Sequence, residues 1–436
     1  MKKSNPWALL PIPIFVLLYL TTGIVFEYVL DIPMGFYKVP IVVVFLVALL
    51  AACLQNRSLS FEGKLAVMGE GIGDKNVITM LLIFLLAGIF VGVVGRSSAE
   101  SVAYCLLSIV PPRFAVCVLF LVSCFVSTAM GTSVGTITLL TPIAAAVSVT
   151  SGFSLPLCVG TVVGGAMFGD NLSFVSDTTI AACGGQGCAM RDKFKTNFAI
   201  VLPAAVVTFV LILVLSMQAD IRPIPTKEYD LLQILPYVLV LIGGVAGVNV
   251  FLTLLFGILA GGVIMLATGA LSFFSMIEGM GAGVSGMFET AMVAILVSAL
   301  CALIREAGGF AALLSGIRRV FRGKRGGQLG IGLLVGLMDV ATANNTVAIV
   351  MANPIASEMA AEYGISPRKT ASILDTFSCI FQGFLPYGAQ VLVALSAVGT
   401  MGLSLSAFDI LANLFYPMLL LLSSLVFILF IPEKTK

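Results

Sequence analysis

One segment in the first half of the chain restricts the possible folds more than any other. An uncharged run at 155–169 ends in the polar stretch 170–179, which carries Asp170 and Asp177, and an apolar segment resumes at Ile180. A carboxylate in hydrocarbon costs several kcal/mol, so acids in such places face a cavity or the interior of a helix bundle. The pattern predicts a helix broken within a membrane, beside a pathway for an ion or a polar solute.

The composition supports a membrane environment. The chain has 436 residues, of which 59% are hydrophobic and 10% charged, and its mean hydropathy is +1.13. Soluble domains carry about 25% charged residues. A net charge of +2 gives no indication of a nucleic acid or an acidic partner. We therefore expect a polytopic protein whose main surroundings are the lipid bilayer.

Cysteine and histidine usage argues against a resident metal centre. Nine cysteines are scattered through apolar segments without a CxxC pair, and the sequence contains no histidine. Free cysteines are commonly buried as small apolar residues. We expect no cofactor, and any proton that the protein handles must be carried by a carboxyl group or by water.

Eight apolar runs predict membrane-spanning helices. They lie at 7–29, 39–54, 77–94 and 198–217 in the first half and at 231–247, 250–267, 290–303 and 411–431 in the second. The first run follows two lysines, as in a secretory signal, but it has no small-residue cleavage site and is long enough to span. It is interpreted as the first transmembrane helix.

Two shorter apolar legs follow the third run. They cover 114–126 and 137–149, 13 residues each, and flank a small polar tip at 127–136 that contains Thr132 and Ser133. A span needs about 20 residues, so this segment (114–149) predicts a re-entrant hairpin, whose non-helical tip is tolerated where protein or water surrounds it. The alternative is a pair of helices that cross completely.

The second half repeats the first at a constant offset. The offset that places Pro142 on Pro354 also places Gly152 on Gly364. It predicts a second hairpin at 326–361, with its tip at 339–346, and a second broken helix at 366–398, matching the first at 155–185. With five crossings in each repeat, 1–217 and 218–436, the second repeat is inverted, as in many secondary carriers. The expected fold is an all-α polytopic membrane protein of two inverted five-helix repeats.

The distribution of positive charge supports these crossings. With both broken helices crossing, 18 lysines and arginines fall on the side of the N-terminus and 5 on the other. If both turned back, the count would be 9 against 14. The bias predicts cytoplasmic termini in the plasma (inner) membrane, but it does not distinguish a hairpin from two full spans. The segments 99–110 and 311–320 are expected to be interfacial helices, and the basic cluster 318–325 a solvated face beside anionic headgroups.

Five of the 21 acids fall within the predicted membrane region: Asp170, Asp177, Glu289, Asp339 and Asp375. Glu289 begins a helix and is expected to face the interface. Asp177 is the best predicted cation ligand because hydroxyl groups flank it and a hard cation prefers oxygen. Burial favours the protonated form of a carboxyl group, so one site could hold either a proton or a sodium ion, which suffices for antiport.

The candidate site joins both repeats. The predicted ion ligands are Asp177, Asp170, Asn171, Ser176, Thr178, Thr132 and Ser133, and the predicted solute contacts are Asn344, Asn345, Thr346, Asp339, Asp375, Gln382 and Thr179. For each aspartate the alternative is a structural role as the cap of a half-helix. For the two adjacent amides at the second tip a binding role is favoured, because polar groups in a membrane are costly unless they are satisfied.

These residues also carry a resemblance. The pattern Gly-Asp-x-x-Ser-x-x-Ser-Asp-Thr-Thr at 169–179, with 186–188 and 190–194 after it and 343–350, 382–383 and 386–390 in the second half, resembles the NhaC-type sodium/proton antiporter family of the ion-transporter superfamily. The resemblance implies a scaffold domain, a mobile transport domain of two hairpins and two broken helices, elevator-type movement, a homodimer, and sodium and protons as the transported or coupling ions.

The resemblance leaves the transported solute open. Members of this family also include carriers that exchange organic acids or amino acids with coupling ions, and a sodium- or proton-coupled organic-anion or amino-acid carrier is the alternative function. The chain departs from the commoner signature at Asn171, where a lysine is expected, and at Phe174, where a proline is expected. A third hypothesis, an intramembrane aspartyl protease, is disfavoured because Met167 replaces the glycine of Gly-x-Gly-Asp and Met338 replaces the tyrosine before the second aspartate. We therefore expect a transporter and no enzyme.

Overall fold

The computed structural model describes residues 4–32, 38–173, 176–219, 229–246 and 248–431. Within these ranges the chain forms twenty α-helices. In the first half they are α1 (Pro11–Ile24), α2 (Ile41–Gln55), α3 (Phe61–Ile72), α4 (Lys75–Ile109), α5 (Ala115–Met130), α6 (Ser133–Ser151), α7 (Leu155–Leu172), α8 (Asp177–Gln186) and α9 (Met190–Gln218). In the second half they are α10 (Leu231–Val245), α11 (Val250–Ala267), α12 (Phe273–Gly286), α13 (Phe288–Glu306), α14 (Gly309–Val320), α15 (Gly323–Thr342), α16 (Asn345–Tyr363), α17 (Pro367–Phe384), α18 (Ala389–Thr400), α19 (Ala407–Ala412) and α20 (Phe415–Phe430).

The boundaries of these helices confirm the repeat. Under the offset that relates Pro142 to Pro354, α6 coincides with α16 and α7 with α17 at both ends, α5 ends where α15 ends, and α8 begins where α18 begins. Both hairpins end in a left-handed glycine, Gly152 and Gly364, which closes the helix without the steric cost that a side chain would bring. Helices therefore begin, break and end at equivalent positions in both halves, although few of the residues at these positions are identical.

The packing of the helices is repeated as well. The second leg of each hairpin lies against the second half-helix of the other repeat, α6 on α18 and α16 on α8. The broken helices exchange neighbours in the same way: α7 packs on α9 and α20, and α17 packs on α20 and α9. Outside this group, α4 packs on α12 as α13 packs on α3. Such reciprocal contacts are those of two halves related by a pseudo-twofold axis, and they bring the two hairpin tips together.

Length and composition make this a multi-pass membrane protein. Six helical stretches of the described chain are long and apolar enough to cross a bilayer, and a seventh is obtained when α17 and α18, which bend by 43° at their junction, are taken as one broken span. Four other predicted crossings, α2, α10, α11 and α20, are apolar helices of 15 to 18 residues. The α6 helix and the α7–α8 pair are almost wholly buried within the bundle.

Some local predictions were wrong. The hairpin legs have 16 to 20 residues rather than 13 in the first hairpin, and the tips contract to two residues each, 131–132 and 343–344. The segment 99–110 is not a separate interfacial helix, because its residues to Ile109 continue α4. The amphipathic α14 does lie at the place predicted for the second interfacial helix. Two short helices, α3 and α12, were not predicted because glycines interrupt their apolar pattern.

A close crossing of α4 and α12 explains two of the glycines on α12. Gly88 and Gly92 on α4 face Gly283 and Gly279 on α12, and a Cβ atom built on Gly283 would lie 1.9 Å from the Gly88 carbonyl oxygen. Pairs of small residues four apart let helix backbones approach, and they drive association in lipid, where burial of apolar surface contributes little. This crossing ties the two repeats together outside the hairpins.

The crossing gives a test with a matched control. Gly283→Ala should destabilise the protein by about 1–3 kcal/mol, because the added methyl group forces the backbones apart. Gly281→Ala, on the same helix with no neighbouring atom within 4 Å, should leave stability nearly unchanged. Thermal unfolding in detergent would measure both, and equal midpoints for the two variants would contradict the close crossing.

Candidate functional site

The two hairpin tips have the same backbone construction. Gly131 (φ 70°) ends α5 and Ala343 (φ 49°) ends α15, both in the left-handed region. The next residue caps the second leg: the Gly135 amide donates to the Thr132 hydroxyl at 3.4 Å, and the Val347 amide donates to Asn344 Oδ1 at 3.0 Å. Each tip therefore places the carboxyl end of one helix beside the amino end of the next, which gives the region partial charges of both signs.

A cavity of about 60 Å³ lies between the tips, the first helix break and α4. Its lining residues are Thr79, Ile83, Gly131, Thr132, Ser133, Val134, Asp170, Ser176, Asp177, Thr178, Asn344, Asn345 and Thr346. Nine of the predicted site residues are thus brought together from both repeats: Thr132, Ser133, Asp170, Ser176, Asp177, Thr178, Asn344, Asn345 and Thr346.

Asp170 is the buried acid of this cavity. It lies in the last turn of α7 with 7% of its surface exposed. Ser133 Oγ donates to its Oδ2 at 2.8 Å and Ser176 Oγ donates to its Oδ1 at 2.5 Å, while Ser176 also contacts Thr178 Oγ1 at 2.8 Å. Hydroxyl groups satisfy the carboxylate here, and each hydroxyl also has lone pairs that can face a cation.

A chain of hydrogen bonds extends from Asp170 into the second repeat. Gln390 Nε2 donates to Ser133 Oγ at 3.1 Å, and Gln382 Nε2 donates to Gln390 Oε1 at 2.7 Å and to the Ala343 carbonyl at 3.1 Å. Under the offset between the repeats Gln382 is the equivalent of Asp170. An acid and an amide therefore occupy matching places in the two halves, and the site is asymmetric in charge.

Asp177 has a different position from the one predicted. It is the first residue of α8, directly after the capping residue Ser176, and its side chain is exposed at the edge of the cavity. A negative charge there is stabilised by the amino end of the helix. The capping alternative does not hold for Asp170, Asp339 or Asp375, because each lies inside a helix or in its last turn.

A second buried cluster surrounds Lys193, which is 1% exposed. Its Nζ atom forms an ion pair with Asp375 Oδ2 at 2.7 Å and donates to Thr179 Oγ1 at 2.7 Å and to the Asn171 carbonyl at 3.0 Å. Asn197 Nδ2 donates to Asp375 Oδ2 at 2.6 Å and to the Asn171 carbonyl at 2.9 Å. Asp375, Thr179 and the Asn171 carbonyl thus belong to an ion-pair network that joins α9 to both broken helices.

The remaining predicted residues are dispersed. The Asn171 side chain donates to the Met167 carbonyl at 2.8 Å, within its own helix. Asp339 is fully buried, and in the described part of the chain neither of its carboxyl oxygens makes a hydrogen bond of ordinary geometry. Glu289 is exposed and lines a separate cavity of about 350 Å³ with Tyr19 and Ser396. Phe174 lies outside the described residues.

Sequence reasoning missed several residues of these clusters. Lys193 and Lys369 belong to the 18 lysines and arginines counted on the side of the N-terminus, and the count gave no sign that both are buried, Lys369 over the ring of Phe427. Lys193 and Asn197 are four residues apart and therefore share one face of α9, a signal that marks a polar stripe on an otherwise apolar helix. Gln390 carries no charge and gave no such signal.

Broken helices and hairpin tips that meet around a buried acid define a membrane transporter of the inverted-repeat type. The sequence model of the Na+/H+ antiporter family matches residues 5–217 and 231–432. The chain belongs to this family, as the resemblance implied.

The chain is also similar to individual proteins. The chain is 25% identical over 364 residues to the Na(+)/H(+) antiporter NhaC of Bacillus subtilis, covering 75% of this chain and 80% of that protein. It is 25% identical over 199 residues to the malate-2H(+)/Na(+)-lactate antiporter of the same organism, covering 45% and 42%. A crystal structure of the Alcanivorax borkumensis YdaH transporter, 14% identical, aligns over 96% of this chain and 97% of that one with a TM-score of 0.47.

The ion pair at Lys193 can be tested by stability measurements. Lys193→Met should cost about 3–5 kcal/mol, because it leaves a buried carboxylate without its cation. The double variant Lys193→Met with Asp375→Leu should recover most of that loss. Lys195→Met removes an exposed lysine two residues away and should have little effect on the unfolding midpoint. A double variant no more stable than Lys193→Met would contradict the pairing.

Proposed function

We propose that the protein exchanges sodium for protons across the membrane and that Asp170 is the carboxylate that the two ions share. The observation that carries this proposal is the setting of Asp170, a buried acid whose described partners are hydroxyl groups and not a lysine or arginine. A carboxylate in that setting gains stability either from a proton or from a cation. Because one ion displaces the other, binding at this one position couples their movements.

The same groups provide a sodium site. In the described state, Ser133 and Ser176 direct their hydroxyl protons to Asp170. When sodium enters, the hydroxyl groups turn so that their oxygens face the ion, and the Thr178 hydroxyl lies within the same network. Carboxylate and hydroxyl oxygens are the donors that a hard cation prefers. When a proton binds instead, Asp170 becomes neutral and the cation loses its only charged ligand among these groups.

Asp177 has a supporting role in this proposal. The sequence pattern gave it the leading role, but its exposed side chain at the edge of the cavity is suited to attracting cations toward the buried acid. Asn344 and Asn345 close the cavity from the second repeat. Asn344 also caps its helix, and Asn345 Oδ1 accepts from the Thr346 amide at 3.0 Å, so these amides hold the second tip in shape.

The size of the cavity favours a small ion over an organic solute. About 60 Å³ accommodates a cation and one or more waters, whereas pockets for small organic molecules usually measure about 300–1,000 Å³. A coupled organic-anion or amino-acid carrier is the second candidate function, because one relative is named for malate and lactate exchange. That function requires a larger opening between the tips.

Four cavities mark the surface along which the transport unit would move. One, described above, lies between α4 and the hairpin tips. The others are lined on one side by α1–α4 or α10–α13 and on the other by the second hairpin or α18. Poor packing along this boundary supports an elevator-type movement of α5–α9 and α15–α20 against the remaining helices. The charge bias supports cytoplasmic termini in the plasma membrane, and the family resemblance supports a homodimer.

Reconstituted protein tests the role of Asp170. In proteoliposomes without organic solute, a sodium pulse should change the internal pH with wild-type protein. Asp170→Asn should abolish this exchange, because an amide cannot bind a proton competitively with sodium. Asp177→Asn should retain exchange with a higher apparent KM for sodium, since the attraction at the entrance is lost while the shared carboxylate remains.

The reverse pattern, in which Asp177→Asn is inactive and Asp170→Asn exchanges at the wild-type rate, would return the central role to Asp177. If wild-type protein changes the internal pH only when an organic anion or amino acid is supplied, the carrier function is correct instead.

The proposed movement can be tested by cross-linking in a cysteine-free background. Val77 on α4 and Val347 on α16 line one cavity from opposite sides of the boundary. A thiol cross-link between cysteines at these positions should block exchange. A cross-link between cysteines at 200 and 423, where Ser423 Oγ donates to the Ile200 carbonyl within the moving group, should leave it active. Full exchange with both links in place would rule out sliding at this boundary.

A further inference from the structure

Among the buried acids of the candidate set, Asp339 is the one whose carboxyl group has neither a hydroxyl donor nor a cation beside it in the described structure. It lies in the last turn of α15, with 0% of its surface exposed. Within the described residues neither carboxyl oxygen makes a hydrogen bond of ordinary geometry, the backbone amide of Gln382 on the facing helix being its one polar neighbour of note, and the Oε1 atom of Gln382 is also without a partner. A buried, unpaired carboxylate is costly enough that the group takes up a proton. The surroundings of Asp339 in this conformation therefore favour its neutral, protonated form over the carboxylate.

The equivalent position in the first repeat shows which contact between helices a residue makes at this place. The equivalent of Asp339 is Ser127, whose hydroxyl donates to the Ala166 carbonyl at 2.5 Å and so joins α5 to α7. The equivalent of Ala166 is Ser378 on α17, and α15 packs on α17 as α5 packs on α7. By this correspondence the Ser378 carbonyl is the acceptor that a protonated Asp339 would use. Since a serine is sufficient for this contact, the carboxyl group supplies something more.

The two repeats distribute their acids in a reciprocal manner. In the first, the hairpin helix carries Ser127 and the broken helix carries Asp170. In the second, the hairpin helix carries Asp339 and the broken helix carries Gln382. At these two equivalent positions each pair of packed helices therefore holds one carboxyl group, and the second repeat has its own acid close to its own hairpin tip. The other acid of the second pair, Asp375 on α17, forms the ion pair with Lys193. Asp170 is surrounded by hydroxyl donors, a setting for a cation, whereas Asp339 lacks such donors, a setting for a proton.

We propose that Asp339 is a second proton-binding site, loaded in the described conformation and emptied to water at another stage of the transport cycle, when the second hairpin opens from α17 within the moving group. This proposal rests on the sodium/proton exchange proposed above. The step is a simple proton transfer: the carboxyl O–H bond breaks, the proton passes to water on the side then open, and the carboxylate is reprotonated from the opposite side. One transport cycle then moves a proton in addition to the one that competes with sodium at Asp170.

Other ionisable groups on the neighbouring helices have their own surroundings. They include Asp375, Lys369 and Cys379 on α17, Tyr387 in the second helix break, Cys301 and Arg305 on α13, Tyr416 on α20, Glu358, Glu362 and Tyr363 on α16, and Arg319 on α14. Lys369 lies over the ring of Phe427. Asp375 is occupied by Lys193, and Tyr387 donates its hydroxyl to the Val340 carbonyl at 2.8 Å. Glu358, Glu362 and Arg319 are exposed.

Two variants of Asp339 and one control separate a proton carrier from a structural acid. Asp339→Asn keeps the shape of the side chain but removes the titratable group. Asp339→Ser introduces the residue found at the equivalent position of the first repeat, Ser127. The serine keeps a hydroxyl donor for the helix contact, so this variant should fold even if the asparagine variant does not. Glu362→Gln removes an exposed carboxylate from α16. Sodium uptake and proton release would be measured together in proteoliposomes. Infrared difference spectra of the purified proteins would report the carbonyl band of protonated carboxylic acids independently of transport.

We expect both Asp339 variants to exchange sodium with a loss of one proton per cycle, and the infrared band of wild-type protein to lose one component in each variant. Glu362→Gln should change neither measurement. An unchanged proton-to-sodium ratio in Asp339→Ser overturns the proposal, because Asp339 is then a fixed structural acid, and an unchanged infrared band overturns it as well. Absence of any sodium/proton exchange in wild-type protein would refute the proposed function, while the infrared comparison would still decide whether Asp339 carries a proton.

Discussion

The structure depends on the cost of burying a carboxylate among apolar helices, and it meets that cost in three ways. Asp170 is held by the hydroxyl groups of Ser133 and Ser176. Asp375 is paired with Lys193 at 2.7 Å. Asp339 has neither a hydroxyl donor nor a cation among the described residues, and we propose that a bound proton removes its charge. An ion pair stays closed unless it is broken at a cost of several kcal/mol, so it is suited to structure, whereas a carboxylate held only by hydroxyl groups can exchange one positive ion for another.

The pseudo-twofold repeat explains how such a site is assembled. Two hairpins and two broken helices of matching length bring four interruptions of the helical backbone to one place, and each interruption leaves free amide and carbonyl groups that need partners. The backbones of the two repeats are related by the symmetry, whereas the side chains at equivalent positions differ in chemistry. Gly131 is matched by Ala343 at the tips, and Asp170 is matched by Gln382 in the broken helices. One repeat thus supplies the charge and the other supplies neutral amides that complete the hydrogen-bond network.

Much of this arrangement could be predicted from the sequence, because the prolines, glycines and polar residues that interrupt apolar runs indicate where helices end or break. Pro142 and Pro354, with Gly152 and Gly364, fixed the offset between the repeats, which the helix boundaries confirm. Other features depend on tertiary contacts. The tips contracted because Thr132 and Asn344 cap their helices and extend them inward. Lys193 sits where a lysine of a cytoplasmic loop is expected, and only the approach of α17 with Asp375 shows that it is buried.

The central claim is that sodium and a proton compete for the carboxyl group of Asp170. The most direct measurement is the affinity of purified protein for sodium, determined by titration calorimetry over a series of pH values. Competition predicts that the apparent Kd rises as the pH is lowered, approaching about a tenfold increase for each pH unit once the carboxyl group is mostly protonated, since one unit corresponds to about 1.4 kcal/mol. A sodium affinity that stays constant across the series would contradict the account.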